Sequence, residues 1–203
     1  MPIARPCAST SSTQTSRTTP TPSSPEWSCL VRSTKVASPI RTFSSIGAGG
    51  RHRALVTGPV QRFARQIAGQ GYICAAPSSF HGFEGPEPLA YDVPGTDRGN
   101  ELKITKEVAS YDEDARLSVD ALLMLKTCNG KVGATGMCLG GHLAYRAALD
   151  GRVSAAVCYF ATDIHSHSLG LGKCDDSLQR AGDVAAELAL VCSPNRPNRP
   201  NLP

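Results

Sequence analysis

Lys131-Val132-Gly133-Ala134-Thr135-Gly136-Met137-Cys138-Leu139-Gly140-Gly141 is the stretch whose reading decides the fold. An apolar run ends in a G-x-C-x-G pattern, which predicts a strand that turns sharply into a helix and presents one nucleophilic side chain at the corner. Glycines two positions before and after the cysteine let neighbouring backbone pass without a Cβ clash. A helix beginning at Leu139 aims free N–H groups at the corner, favouring a thiolate and a developing oxyanion. Cys138 is therefore the candidate nucleophile, and the backbone N–H of Leu139 a candidate oxyanion donor. Alone, the pattern also fits a buried cysteine in a Gly-rich turn, so the flanking sequence decides.

Outward from the elbow, strands and helices alternate. Thr57-Gly58-Pro59 opens a helix with Val60, Phe63, Ala64 and Ile67 on one face, ended by Gly69 and Gly71. Tyr72-Ile73-Cys74-Ala75-Ala76 reads as a short buried strand stopped by Pro77. A Pro/Gly-rich loop is expected over residues 78–100. Ser110 and Glu113 form a capping-box pattern for a helix with Ala115, Val119, Leu122 and Leu123 inward, closed by Asn129-Gly130. After the elbow come a helix with Leu143, Ala144, Ala147 and Ala148 inward and a strand over Val153-Ser154-Ala155-Ala156-Val157-Cys158-Tyr159. A short helix around residues 177–181 and a last strand, Glu187-Leu188-Ala189-Leu190-Val191-Cys192, complete the series. This order predicts an α/β fold, a mainly parallel sheet with helices on both faces.

Five segments in order, Gln70-Gly71-Tyr72-Ile73-Cys74-Ala75-Ala76-Pro77, Tyr111-Asp112-Glu113-Asp114-Ala115, Asn129-Gly130-Lys131-Val132-Gly133, the elbow itself and Ala156-Val157-Cys158-Tyr159-Phe160, resemble the dienelactone hydrolase (carboxymethylenebutenolidase) family of α/β-hydrolases. The resemblance runs from about residue 56 to 192. It implies an ester or lactone hydrolase in which the elbow cysteine attacks the carbonyl, a His relays the proton and an Asp orients the His. Cys138 matches the nucleophile and Leu139 the oxyanion donor. The family's acid and base would follow the strand that residues 187–192 resemble, but residues 193–203 hold neither carboxylate nor imidazole. The family also places an acidic residue before the helix near Pro59, whereas no Asp or Glu lies between Glu26 and Glu84. An arginine that holds a substrate carboxylate in the family has no match near Phe80-His81-Gly82.

Other residues offer substitutes. Asp163, His165 and His167 follow the strand beside the elbow strand, so they belong at the carboxyl edge of the sheet, where active sites gather. They are the candidate replacement acid and base, set against the plainer reading of a solvated surface loop. With Cys174 the two imidazoles also form a loose metal trio, too irregular in spacing to predict a metal site. His142, one turn beyond Cys138, suits a packed or hydrogen-bonded role on the elbow helix. His81, in the loop after the second strand, is a candidate substrate contact. No cofactor is expected.

Residues 1–53 differ in character from the rest. They hold seven of the 21 Lys and Arg but only one of the 17 Asp and Glu, amid abundant Ser, Thr and Pro. The net charge of +4 thus resides in this leader, which argues against nucleic-acid binding by the domain. The leader is expected to be disordered, as is the Pro/Asn/Arg tail at 193–203, leaving residues 54–192 as a partial α/β domain. No strand is expected before Thr57, so the sheet reads as incomplete at both ends, as from an altered or truncated gene model. No apolar stretch suits a membrane span, and cysteines inside core strands point to a reducing cytoplasm, with a mitochondrial leader the alternative. Two functions remain: a hydrolase acting on a small-molecule ester or lactone through Cys138, impaired for want of the usual Asp and His, or a non-catalytic pseudoenzyme or fragment retaining part of a small-molecule pocket.

Overall fold

Six strands form a single sheet in the computed structural model, which describes residues 26–33, 43–44, 58–83, 89–90 and 92–192. They are β1 (Glu26–Ser33), β2 (Phe43–Ser44), β3 (Tyr72–Ala76), β4 (Cys128–Met137), β5 (Val153–Tyr159) and β6 (Glu187–Val191), in the spatial order β2-β3-β1-β4-β5-β6. Parallel pairing joins β2 to β3, β4 to β5 and β5 to β6, while β1 runs antiparallel to both of its neighbours. The α/β sheet with helices on both faces is the expected one.

Alternation along β3 shows how the faces are filled. Cys74 and Ala76 pack against α1 (Gly58–Ala68) through Val60, Ala64 and Ala68, whereas Ala75 points into the main core. That core is built from α3 (Val108–Leu123) and α4 (Leu139–Ala147), whose Val119, Leu122, Leu139 and Leu143 meet Val132, Ala134 and Val153 of the sheet. Every residue of α4 is buried, so small side chains at Gly140, Gly141, Ala144 and Ala147 are what let it sit close to the strands.

The structure departs from the sequence reading at four places. Glu26–Ser33 and Phe43–Ser44 are strands within the leader, and β1 fills the slot between β3 and β4; the rest of residues 1–53 and the tail from 193 lie outside the described residues. Two parallel strands one strand-width apart each present an open row of donors and acceptors, and the short apolar run Cys29-Leu30-Val31 satisfies both. Within the expected loop lies α2 (Val93–Thr105), capped by the Asp92 carboxylate, which accepts from the Gly95 N–H at 2.8 Å. The Ser110 capping box is not used, because α3 starts earlier, after Glu107. Finally, α3 ends at Leu123, and Asn129-Gly130 falls inside β4, with Gly130 at φ 81°.

Candidate active site

Cys138 stands between the end of β4 and the first turn of α4 with φ 58° and ψ −121°. A non-glycine residue holds such angles only where its surroundings over-determine them. Four contacts do so here. Its N–H donates to the Tyr159 carbonyl at 3.0 Å, and its own carbonyl accepts from Gly141 N–H at 3.0 Å, His142 N–H at 3.2 Å and Thr162 N–H at 3.3 Å. Gly141 is required by space: a Cβ there would stand 2.8 Å from the Tyr159 oxygen and 3.0 Å from Ala161 Cα. The elbow is thus clamped against the end of β5, leaving the thiol partly exposed beside Met137 and Phe160, which are 40% and 54% exposed. Among the described residues the Leu139 N–H has no backbone acceptor, as the first residue of a helix does not, so it is free to meet an oxyanion.

The other candidate residues are gathered at the same edge, but not into a relay. Asp163, at φ 64°, is ion-paired to Lys103 of α2. His165 is exposed, and His167 is held by Nδ1 to the Asp175 carbonyl at 3.1 Å. Neither imidazole meets Asp163, and among the described residues no hydrogen bond reaches the Cys138 sulfur. Cys174 is in a disulfide, which removes its thiolate from any metal set, and no group of three potential metal ligands occurs among the described residues. His81 contacts Asp114 at 3.1 Å, and the buried Lys106 also pairs with Asp114, donates to the Ser79 carbonyl at 2.7 Å and lies over the Tyr111 ring. Lys103 and Lys106 went unread because no helix is expected between Ala76 and Ser110 and nothing in local spacing announces Asp163 and Asp114 as their partners; Asp114 entered only as part of the Tyr111–Ala115 segment. Glu26, at the start of β1, is in register with Met137, which places a carboxylate-bearing residue opposite the elbow strand's last position.

A sequence model of the dienelactone hydrolase family matches residues 56–179. This chain belongs to that family. A protein of Saccharomyces cerevisiae named "Putative carboxymethylenebutenolidase" is 60% identical over 126 residues, which are 62% of this chain and 46% of that protein. The chain therefore spans less than half of that relative's length, and the family match contains the elbow but ends before β6.

Behind the elbow of this dienelactone hydrolase family member lies a buried polar network. His142, fully buried, donates its backbone N–H to the Cys138 carbonyl at 3.2 Å and places Nε2 2.8 Å from Ser177 Oγ and 3.5 Å from Asp175 Oδ1. It has the packed, hydrogen-bonded position its spacing predicted. Arg146, on the same helix, donates to Ser177 Oγ and to Asp176, and holds Asp112 with two parallel bonds of 2.7 Å. Asp175 accepts from the Leu169 and Ser177 N–H groups, both at 3.1 Å. The network staples residues 169–177 to α4 and so holds the elbow helix in place.

Burial pushes the Asp175 carboxyl upward, but the bonds from His142, Ser177 and Leu169 outweigh it and hold the group well below the usual carboxylate range. A carboxyl depressed in the folded state contributes stability that is fully present above its unfolded pKa of about 3.9 and lost as pH falls below it. Urea unfolding should therefore show midpoints that drop steeply below about pH 4. In Asp175→Asn the midpoint should be lower at pH 7 but shallower in its acid dependence; parallel acid limbs for the two proteins would contradict this assignment.

Proposed function

We propose that the chain is a carboxylic ester hydrolase of the dienelactone hydrolase type, in which Cys138 opens a small-molecule ester or lactone and the second half of the cycle is impaired. The observation that carries this reading is the clamped backbone of Cys138 at the corner of β4 and α4. The Cys138 thiol gives its proton to solvent and the thiolate sulfur attacks the carbonyl carbon, forming a C–S bond, while the Leu139 N–H meets the oxygen that becomes negative as the carbonyl π bond opens. The C–O bond to the leaving alkoxide then breaks, the alkoxide takes a proton from solvent, and a thioester remains on Cys138. Deacylation needs a base to deprotonate water, and Asp163, His165 and His167 are occupied elsewhere or turned to solvent. His81, exposed at the sheet edge, is the candidate contact for a substrate there. With an activated aryl ester, the expected result is a burst of about one equivalent of phenol per chain followed by slow release. Steady turnover at many equivalents would sink the impaired reading, and the absence of a burst would favour the non-catalytic alternative.

The chain is not expected to use a cofactor, nucleic acid or membrane as partner; no helix among the described residues is long and apolar enough to cross a membrane. Among the described residues five thiols are free, two of them buried in β3 and β5, which favours a reducing cytoplasm, and the Cys174 disulfide is the feature that argues against it.

A further inference from the structure

We propose that Lys103 is a positioning residue for the elbow: through Asp163 it holds the Cys138–Leu139 peptide at the angle that aims the Leu139 N–H at the oxyanion. The consequence for acylation rests on the hydrolase reading above; the consequence for the backbone does not. In a trans peptide the carbonyl and the following N–H point in opposite directions, so whatever grips the Cys138 carbonyl also aims the Leu139 N–H. Among the described residues three backbone donors grip it, Gly141 and His142 of α4 and Thr162 at 3.3 Å. Thr162 alone of the three lies outside the elbow helix, so it fixes the peptide plane against the rest of the fold.

The place of Thr162 depends on its neighbour. Asp163 sits at φ 64°, a left-handed conformation that a residue with a side chain keeps only when it is held there. Its carbonyl accepts from Ser166 N–H and from Ser166 Oγ, both at 3.1 Å, and its carboxylate is committed to Lys103 Nζ. With side chains 15% and 34% exposed, this ion pair is shielded more than an ordinary surface contact. Lys103 is itself anchored. Leu102 beside it is buried in the main core, its own carbonyl accepts from Gly170 N–H at 3.0 Å, and the Lys106 carbonyl accepts from Leu171 N–H at 2.9 Å. Contacts therefore run unbroken from the core through Leu102, Lys103, Asp163 and Thr162 to the Cys138 carbonyl, and α2 becomes part of what shapes the elbow.

Two rates at Cys138 separate aim from ionisation. Acylation by an activated aryl ester needs the oxyanion donor, whereas alkylation by iodoacetamide builds no oxyanion; both need the thiolate, so any effect of an unpaired Asp163 on the thiol cancels in their ratio. In Lys103→Met the acylation-to-alkylation ratio should fall about tenfold. Adding Asp163→Gly to that variant should bring it back to within about twofold, because glycine holds a positive φ without a partner. Amide exchange reads the backbone directly: protection of the Thr162 N–H should fall about tenfold in Lys103→Met and recover in the double variant. An unchanged ratio with unchanged Thr162 protection overturns the proposal, as does a ratio that falls while protection does not, or a double variant as impaired as the single one. If the parent protein takes no acyl group, the hydrolase reading falls and Thr162 protection decides the role of Lys103 alone. If Lys103→Met fails to fold, Asp163→Ala is set against Asp163→Gly: protection lost only in the alanine variant supports the latch, and equal protection in the two overturns it.

Discussion

Cys138→Ala should remove the acyl adduct entirely, from about one equivalent to none, and Cys138→Ser should remove it as well. The second half of this expectation is the more informative. A thiol is a few per cent ionised near neutral pH and strongly nucleophilic without help, whereas a serine hydroxyl requires an adjacent base. In this chain the side chains nearest to that role are engaged: Asp163 by Lys103, His167 by the Asp175 carbonyl and His142 by Ser177 and Asp175 within the core. Intact-protein mass measurement after exposure to an activated ester gives the adduct count, and peptide mapping separates Cys138 from the exposed Cys192. A Cys138→Ser protein that still forms an ester adduct would show that a base reaches the elbow and would overturn the impaired reading. Label confined to Cys192 would do the same for the nucleophile assignment.

The elbow was legible because its chemistry is local. G-x-C-x-G specifies a corner with a positive φ, which is present at Cys138, while the close approach to the end of β5 is made at Gly141, one residue beyond the pattern's last glycine. Tyr72–Ala76, Val153–Tyr159 and Glu187–Val191 were equally plain, since short apolar runs bounded by Gly, Pro or Asp have few other solutions. α2 was missed although Asp92-Val93-Pro94 carries an N-cap and an early-turn proline, because only Gly99 and Leu102 of the helix are buried and no apolar period develops. The buried network could not be read at all. Arg146 meets Asp112 and Asp176, 34 and 30 residues away, and nothing in sequence spacing announces a contact made by the tertiary fold. His142 was placed on its helix face correctly, but its partners Asp175 and Ser177 are a loop that only the fold brings back.

The misread with the greatest structural consequence is β1, and it supplies the strongest stability prediction. Leu30 lies at the middle of a strand flanked on both sides, in register with Cys74 of β3 and Gly133 of β4. Proline there has no N–H to give either ladder, strands the facing carbonyl in the sheet interior, and restricts φ away from the strand value. The expected cost is about 3 kcal/mol or more, a large part of the 5–15 kcal/mol that holds a typical domain together. Leu30→Ala keeps the backbone ladder and provides the comparison, so the difference between the two urea midpoints isolates the main-chain contribution of β1. Trp27 is the only tryptophan in the chain and sits on the same strand, in register with Gly136. Its emission should change in one transition with the far-UV signal if β1 is integral to the sheet. Equal midpoints for Leu30→Pro and Leu30→Ala, or a tryptophan signal indifferent to urea, would mean that β3 and β4 are held together without β1. The elbow's alignment would then have to come from α4, the Lys103–Asp163 pair and the buried Arg146 network alone.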